Sequence, residues 1–163
     1  MPEGSTREIA LAAIGMGSNL SSRYGSPEEN VWEAVRRLGA LGVVLRVATL
    51  RVTEPVGYVD QPKFVNTAAV VETRLEPLEL LRGLMGIEHE MGRDRAVAPP
   101  KGPRVIDLDL LLYGQCVMEE PELTLPHPAM HERRFVLEPL AEIAPEMMHP
   151  VLGRTVEELW IGL

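Results

Sequence analysis

The chain of 163 residues holds one cysteine, Cys116. No intramolecular disulfide is possible, and a single thiol cannot build a thiolate metal centre; such a residue is ordinarily a small, part-buried hydrophobe. Aromatic residues are scarce, at two Phe, three Tyr and two Trp. Lysine is scarcer still: only Lys63 and Lys101, against 14 Arg. Amides are few as well, which fits a GC-rich genome or, second, adaptation to heat. No long apolar run is present. The longest, residues 9–17, is about half of what a bilayer span requires, and residues 1–8 lack the basic-then-apolar pattern of a leader. Positive charge is in deficit, with 16 Lys and Arg against 24 Asp and Glu and a net charge of −8. That excludes a nucleic-acid-binding surface and an anionic membrane as partners. The composition is that of an ordinary globular chain, 45% hydrophobic and 25% charged, and its length predicts one domain over residues 1–163. The expected setting is the cytoplasm, and the expected state a monomer or weak homo-oligomer.

The chain carries no repeat and no linker. Residues 9–14 read as a buried strand, ended by a tight turn at Gly15-Met16-Gly17-Ser18-Asn19. Ser26-Pro27-Glu28-Glu29 starts a helix: a capping Ser, Pro at the first helical position and acids in the first turn. Val31, Ala34, Val35 and Leu38 follow at helical spacing, and Gly39 or Gly42 ends it. Residues 43–52 predict a strand, 53–62 a loop and 63–74 another strand. Pro77 opens a second helix, with Leu78, Leu81, Leu84, Met85, Glu88 and Met91 along it. Residues 92–104 form a polar loop, 105–113 a strand turned by Gly114, and 115–125 its hairpin partner. Residues 128–143 predict a helix kinked or divided at Pro139. Thr155-Val156-Glu157-Glu158 is a capping box for a last short helix. The order strand–helix–strand–strand–helix–strand predicts an α+β, ferredoxin-like antiparallel sheet, with two helices on one face and the other face open for a ligand. The fold alone decides no chemistry.

The chemistry is concentrated in Arg104-Val105-Ile106-Asp107-Leu108-Asp109-Leu110-Leu111-Leu112-Tyr113. Strand side chains alternate, so Ile106, Leu108, Leu110 and Leu112 share the core face while Asp107 and Asp109 share the other. Asp is depleted in strands and like charges on one face repel. Either the two acids are solvated on an exposed face, or a divalent cation compensates them; hard ions such as Mg²⁺ take carboxylate oxygens, and such a pair can hold two ions side by side. Upstream, residues 93–104 hold four basic residues (Arg93, Arg95, Lys101, Arg104) and one acid, Asp94. This is either a solvated charged loop or an arginine-rich site for a triphosphate. Metal with arginine is the combination a nucleoside triphosphate needs. No G-x-x-x-x-G-K-[ST] loop is present. Residues 93–104 carry +3 and the others −11 of the total of −8, so overall acidity does not exclude ATP.

Six segments together resemble the 6-hydroxymethyl-7,8-dihydropterin pyrophosphokinase family. They are Gly17-Ser18-Asn19-Leu20, Asp60-Gln61-Pro62 with Phe64-Val65-Asn66, Gly92-Arg93-x-Arg95, Gly102-Pro103-Arg104-Val105-Ile106-Asp107-Leu108-Asp109, Pro126-His127-Pro128-x-Met130, and Arg133-x-Phe135-Val136-Leu137-x-Pro139-Leu140. They lie in order and span most of the chain; the G-P-R-x-x-D-L-D block is the most specific. The resemblance implies transfer of pyrophosphate from ATP to the pterin alcohol. It implies that Asp107 and Asp109 ligate two Mg²⁺ ions, and that Arg93 and Arg95 belong to a loop closing over the reaction. Arg104, His127 and Arg133 would contact phosphate or developing charge, with Glu88 on the ATP side. Asn66 would read the polar edge of the pterin, Phe64 and Phe135 would sandwich its ring, and Thr53 and Val56 would line its pocket. That the only two Phe fall at ring-stacking positions agrees with this, as does the donor-and-acceptor amide of Asn66.

The chain departs from the resemblance at Lys101, where some relatives carry Trp, at Met85, and at Arg134, which has no implied role. Two other readings stand beside it. A non-catalytic ferredoxin-like ligand-binding module needs neither D-x-D nor the arginines. A Mg²⁺-dependent nucleotidyltransferase would release pyrophosphate in place of AMP.

Overall fold

The computed structural model describes residues 8–55, 60–93 and 103–163; Val56, Arg95 and Lys101 lie outside them. The elements run β1 (Ala10–Ser18), α1 (Pro27–Leu38), β2 (Val43–Val47), β3 (Arg51–Thr53), β4 (Phe64–Thr73), α2 (Pro77–Glu90) and β5 (Asp107–Tyr113). The sheet is antiparallel in the order β2-β4-β1-β5, and β3 continues the β2 edge along β4. This is the expected ferredoxin-like arrangement. The strand expected over residues 43–52 is therefore one edge in two pieces, interrupted near Ala48, whose carbonyl accepts from the Thr67 hydroxyl at 2.7 Å.

Local chemistry sets the helix starts. The Ser26 hydroxyl accepts from the Glu29 N–H at 3.3 Å and the Glu29 carboxylate accepts from the Ser26 N–H at 2.9 Å. Thr155 and Glu158 repeat this reciprocal cap at α4 (Val156–Ile161). Such a cap contributes about 1 kcal/mol. In α2 the buried stripe is Leu80, Leu84 and Ile87, one apolar face at helical spacing. The expected Met85 faces solvent.

Helices α1 and α2 cover one sheet face, burying Val31, Ala34, Leu38, Leu80 and Leu84 against Ala12, Ile14, Ala69, Val71, Leu108 and Leu110. The other face is not open as expected. It carries a second core, in which α3 (Arg134–Ile143) and α4 bury Val136, Leu137, Leu140 and Val156 against Ala13, Ala68 and Val70. Small residues at those sheet positions let α3 lie close. Among the described residues, one end of this face stays uncovered.

Four local expectations also change. Residues 15–18 continue β1 in place of turning, because Gly15 and Gly17 pair with strands on both sides. A register shift opposite Ala13 and Ile14 leaves Leu111 as an extra residue, so Leu111 and Leu112 both enter the second core; strict alternation placed Leu112 with Leu110. Residues 115–125 do not pair with β5. Instead β6 (Met118–Glu119) and β7 (Thr124–Leu125) pair with each other. The division expected at Pro139 falls earlier: a 3-10 turn, Met130–Glu132, precedes α3, and Pro139 sits inside the helix. A small hairpin, β8 (Met148–His149) with β9 (Arg154–Thr155), leads into α4. Among the described residues no helix is long and apolar enough to cross a membrane.

Candidate active site

The uncovered end of the second face is built around Gly17. Its pairing partners are Asn66 on β4 and Asp107 on β5, while Gly15 lies between Ala68 and Asp109. Thr53 lies opposite Phe64. The sheet therefore sets an amide, a ring and two carboxylates side by side on one face. Arg133 and Phe135, from the start of α3, close the other wall, giving a cleft that also touches Arg104 and Glu54. Eight residues singled out in the sequence line it together: Thr53, Phe64, Asn66, Arg104, Asp107, Asp109, Arg133 and Phe135.

One half of the cleft suits a flat heterocycle. Phe64 and Phe135 are half-buried and come from opposite walls. The Asn66 amide nitrogen donates to the Thr53 hydroxyl, which orients the amide. Thr53 belongs to the end of β3, not to a loop. Gly17 is needed beneath this amide, since a Cβ there would stand 2.6 Å from Asn66 Oδ1. The Arg104 guanidinium lies 5.9 Å from the Phe64 ring centroid and that of Arg133 lies 5.6 Å from Phe135; both distances are within cation–π range.

The other half is electrostatic. Arg93 Nη1 donates to Asp107 Oδ1 at 2.6 Å and to Glu88 Oε2 at 2.7 Å. Glu88, only 3% exposed, also accepts from the Leu108 N–H at 2.8 Å. Arg104 Nη1 lies 3.5 Å from Asp107 Oδ1. Asp109 forms no hydrogen bond or ion pair among the described residues. Burial, with the neighbouring charges of Asp107 and Glu88, pushes its carboxyl up to about 7, although Arg133 and Arg93 oppose this. Two neighbouring carboxylates, one of them partly buried and without a hydrogen bond or ion pair among the described residues, are donors of the kind a hard divalent cation takes. Among the described residues no three His, Cys, Asp or Glu side chains gather into a metal cage. Magnesium needs no such cage: it is commonly held by one or two carboxylates, with substrate phosphates and water completing the shell. The donor set fits.

His127 stands beside this half without lining the cleft. Its backbone N–H donates to the Leu111 carbonyl at 2.9 Å, and its Nδ1 accepts from the Ala129 N–H at 3.2 Å, which leaves the ring proton on Nε2. Burial, then the Arg133 charge, lowers its pKa, so the ring is neutral at pH 7.

Two residues were given no role by sequence reasoning. Gly17 is one. The other is Asn19, 3% exposed, whose Oδ1 accepts from the Arg104 N–H at 2.9 Å and whose Nδ2 donates to Gln61 Oε1 at 2.8 Å and to the Pro62 carbonyl at 2.9 Å. It ties the end of β1 to the segments entering β4 and β5, and so to both halves of the cleft. The available signal was a Gly-Ser-Asn run after a strand, which reads as a turn. Asn19→Ala leaves buried polar groups unmatched, at about 1–3 kcal/mol each. The expected outcome is a melting temperature lowered by several degrees and a raised KM for both substrates. Unchanged kinetics would remove the positioning role.

A ferredoxin-like sheet whose cleft combines paired carboxylates, convergent arginines and a ring-stacking slot fits the class of enzymes that transfer phosphoryl groups to small heterocyclic acceptors. Residues 13–145 match the family model described as 7,8-dihydro-6-hydroxymethylpterin-pyrophosphokinase. The 2-amino-4-hydroxy-6-hydroxymethyldihydropteridine pyrophosphokinase of Pseudomonas aeruginosa is 42% identical over 154 residues, covering 93% of this chain and 90% of that protein. The enzyme of the same name from Bacillus subtilis is 43% identical over 137 residues, covering 84% and 80%. The chain is also 41% identical over 150 residues to the folic acid synthesis protein fol1 of Schizosaccharomyces pombe, but spans only 20% of that protein's length. In structure it resembles Plasmodium falciparum HPPK-DHPS, crystallised with pteroate, at a TM-score of 0.73 and 16% identity, covering 96% of this chain and 44% of that one; this likeness concerns fold alone. The chain belongs to the 7,8-dihydro-6-hydroxymethylpterin pyrophosphokinase family.

Proposed function

We propose that this chain, acting as one domain over residues 1–163 in the cytoplasm, transfers pyrophosphate from ATP to the hydroxymethyl oxygen of 6-hydroxymethyl-7,8-dihydropterin in a Mg²⁺-dependent reaction. The observation that carries the reading is the cleft's division: Asp109, with no hydrogen bond or ion pair among the described residues, beside Asp107 in one half, and Asn66 with Phe64 and Phe135 in the other. The pterin ring stacks between Phe64 and Phe135 while Asn66 matches its lactam edge, with Thr53 beside it; the same pocket-lining role is proposed for Val56 from the family resemblance alone. This directs the hydroxymethyl group toward the acidic end. Asp107 and Asp109 would hold two Mg²⁺ ions, which when bound neutralise phosphate charge.

The hydroxymethyl oxygen forms a bond to the β-phosphorus. The bond from that phosphorus to the α,β-bridging oxygen breaks, AMP leaves with the electron pair, and the hydroxyl proton passes to solvent. Arg93, Arg95, Arg104 and Arg133 offset charge on the transferred group, Glu88 fixes Arg93, and neutral His127 donates from Nε2 on the ATP side. Catalysis is by positioning and charge neutralisation, as in other phosphoryl transfers. No partner beyond the two substrates is required, and the chain acts as a monomer or weak homo-oligomer.

The test is incubation with ATP, Mg²⁺ and the pterin alcohol, followed by identification of the released nucleotide. AMP formed only when the pterin is present is the expected result. ADP, or free pyrophosphate with the nucleotide joined to the acceptor, would replace this reading with phosphoryl or nucleotidyl transfer.

A further inference from the structure

Arg93 points inward. After α2, Gly92 takes φ 100°, a conformation that glycine adopts without strain, and the Arg93 N–H returns to the Glu88 carbonyl at 2.9 Å. This turn folds the side chain back beneath β5, where it is 9% exposed. One nitrogen, Nη1, contacts Glu88 at 2.7 Å and Asp107 at 2.6 Å. One carboxylate oxygen of Asp107, Oδ1, is therefore already engaged by a cation of the chain itself. Asp109, two residues along on the same face, has no such partner among the described residues.

We infer that Arg93 is a resident counter-cation that occupies Asp107 in the ion-free protein and must release it when a divalent ion binds. The inference rests on the reading of Asp107 and Asp109 as metal ligands. A divalent ion held by Asp107 would be strongly repelled by the Arg93 guanidinium, which lies 2.6 Å from Oδ1. Release is feasible because only the Asp107 contact must break: Glu88, which also accepts from the Leu108 N–H, can keep its own contact with the guanidinium. The freed guanidinium is then available to phosphate oxygens, which it cannot reach while held between two carboxylates. Ion binding and arginine release are thus linked, and the linkage is reciprocal: whatever detaches Arg93 from Asp107 tightens ion binding.

Removing Arg93 alone takes from the buried Glu88 carboxylate the guanidinium at 2.7 Å and risks the fold, since breaking one side of a buried pair is strongly destabilising. The comparison is therefore Glu88→Gln against Glu88→Gln/Arg93→Met. In both, the substituted amide keeps an acceptor for the Leu108 N–H, and only the guanidinium differs. Mn²⁺ binding is measured without nucleotide, from the paramagnetic resonance of the free ion. The double variant is expected to bind Mn²⁺ about tenfold more tightly; equal or weaker binding overturns the inference. Asp109→Asn serves as the control for the site itself. If Mn²⁺ binds that variant as it binds the wild type, the metal reading fails and the inference with it. A second readout uses the wild-type protein: the rate at which phenylglyoxal modifies Arg93, followed by peptide mass spectrometry, should rise several-fold on saturation with Mn²⁺. A rate unaffected by Mn²⁺ contradicts release.

Discussion

Asp109→Asn is expected to yield a protein that is more heat-stable than the wild type and catalytically inert. The folded protein raises the Asp109 carboxyl from 3.8 to about 7, through burial first and then the charges of Asp107 and Glu88. Between these two values the folded state binds more protons than the unfolded state. Stability is therefore fully retained below about 4 and lost progressively as pH rises through about 7. Above that the ionised carboxylate is a standing penalty. Each unit of displacement corresponds to about 1.4 kcal/mol, so the ceiling is about 4 kcal/mol. Asparagine keeps the shape and removes the charge. For a chain of this size 1 kcal/mol moves the melting temperature by about 2–4 °C. In chelator at pH 8 the variant should melt about 5 °C above the wild type, and at pH 4 the two should coincide. With ATP and Mg²⁺ present the order should narrow or reverse, because only the wild type gains the linked stabilisation, about 2.7 kcal/mol at a hundredfold excess over Kd. Turnover should fall by about 10³-fold or more, the scale seen when a preorganised electrostatic contact is removed. Scanning calorimetry at the two pH values, with steady-state kinetics, checks both halves. A variant that melts lower in chelator at pH 8 would remove the electrostatic account of Asp109.

Gly17→Ala should raise the pterin KM by about tenfold or more while changing the ATP KM little. Gly17 does not have the positive φ that L side chains avoid, so the cost is steric alone. The added Cβ would meet Asn66 Oδ1 at 2.6 Å and Phe64 Cδ1 at 3.7 Å. Asn66 cannot yield freely, because its other amide atom is held by Thr53. Rotation that relieves the contact breaks that hydrogen bond and misaligns the amide from the pterin edge. Unmatched polar groups of this kind account for large discrimination in buried sites. Gly15→Ala is the internal control: the three atoms nearest its Cβ would be Leu111 side-chain carbons, the closest Cδ1 at 3.4 Å, and near-normal kinetics are expected. If Gly17→Ala kept a normal pterin KM, Asn66 would not be the group that reads the heterocycle.

These two positions show what was legible in the sequence and what was not. Asp107 and Asp109 were readable because strand periodicity says which residues share a face, and acids on a strand need a compensating partner. The capping boxes at Ser26 and Thr155 were readable because their hydrogen bonds are local. Gly17 was read as part of a turn. Its actual reason is a neighbour on each side, Asn66 and Asp107, both far away in sequence, and no local pattern reports a strand partner. The same limit hid the extra residue at Leu111, which exists only relative to β1. It also hid the cover over the second sheet face: α3 was anticipated, but nothing local said that it would bury Ala13 and Ala68. Arg93 lies between these cases. Its residue type and neighbours suggested phosphate, whereas its inward turn onto Glu88 and Asp107 depends on Gly92 and on how α2 packs beside β5.

The central claim is that the cleft moves two phosphorus atoms together from ATP to the pterin. The most direct measurement uses ATP radiolabelled with ³²P at both the β and γ positions, with the products formed in the presence of Mg²⁺ separated by chromatography. Both labels should appear in one pterin diphosphate, with unlabelled AMP in equal amount. Label in ADP, or in free pyrophosphate released as the acceptor gains a nucleotide, would contradict it.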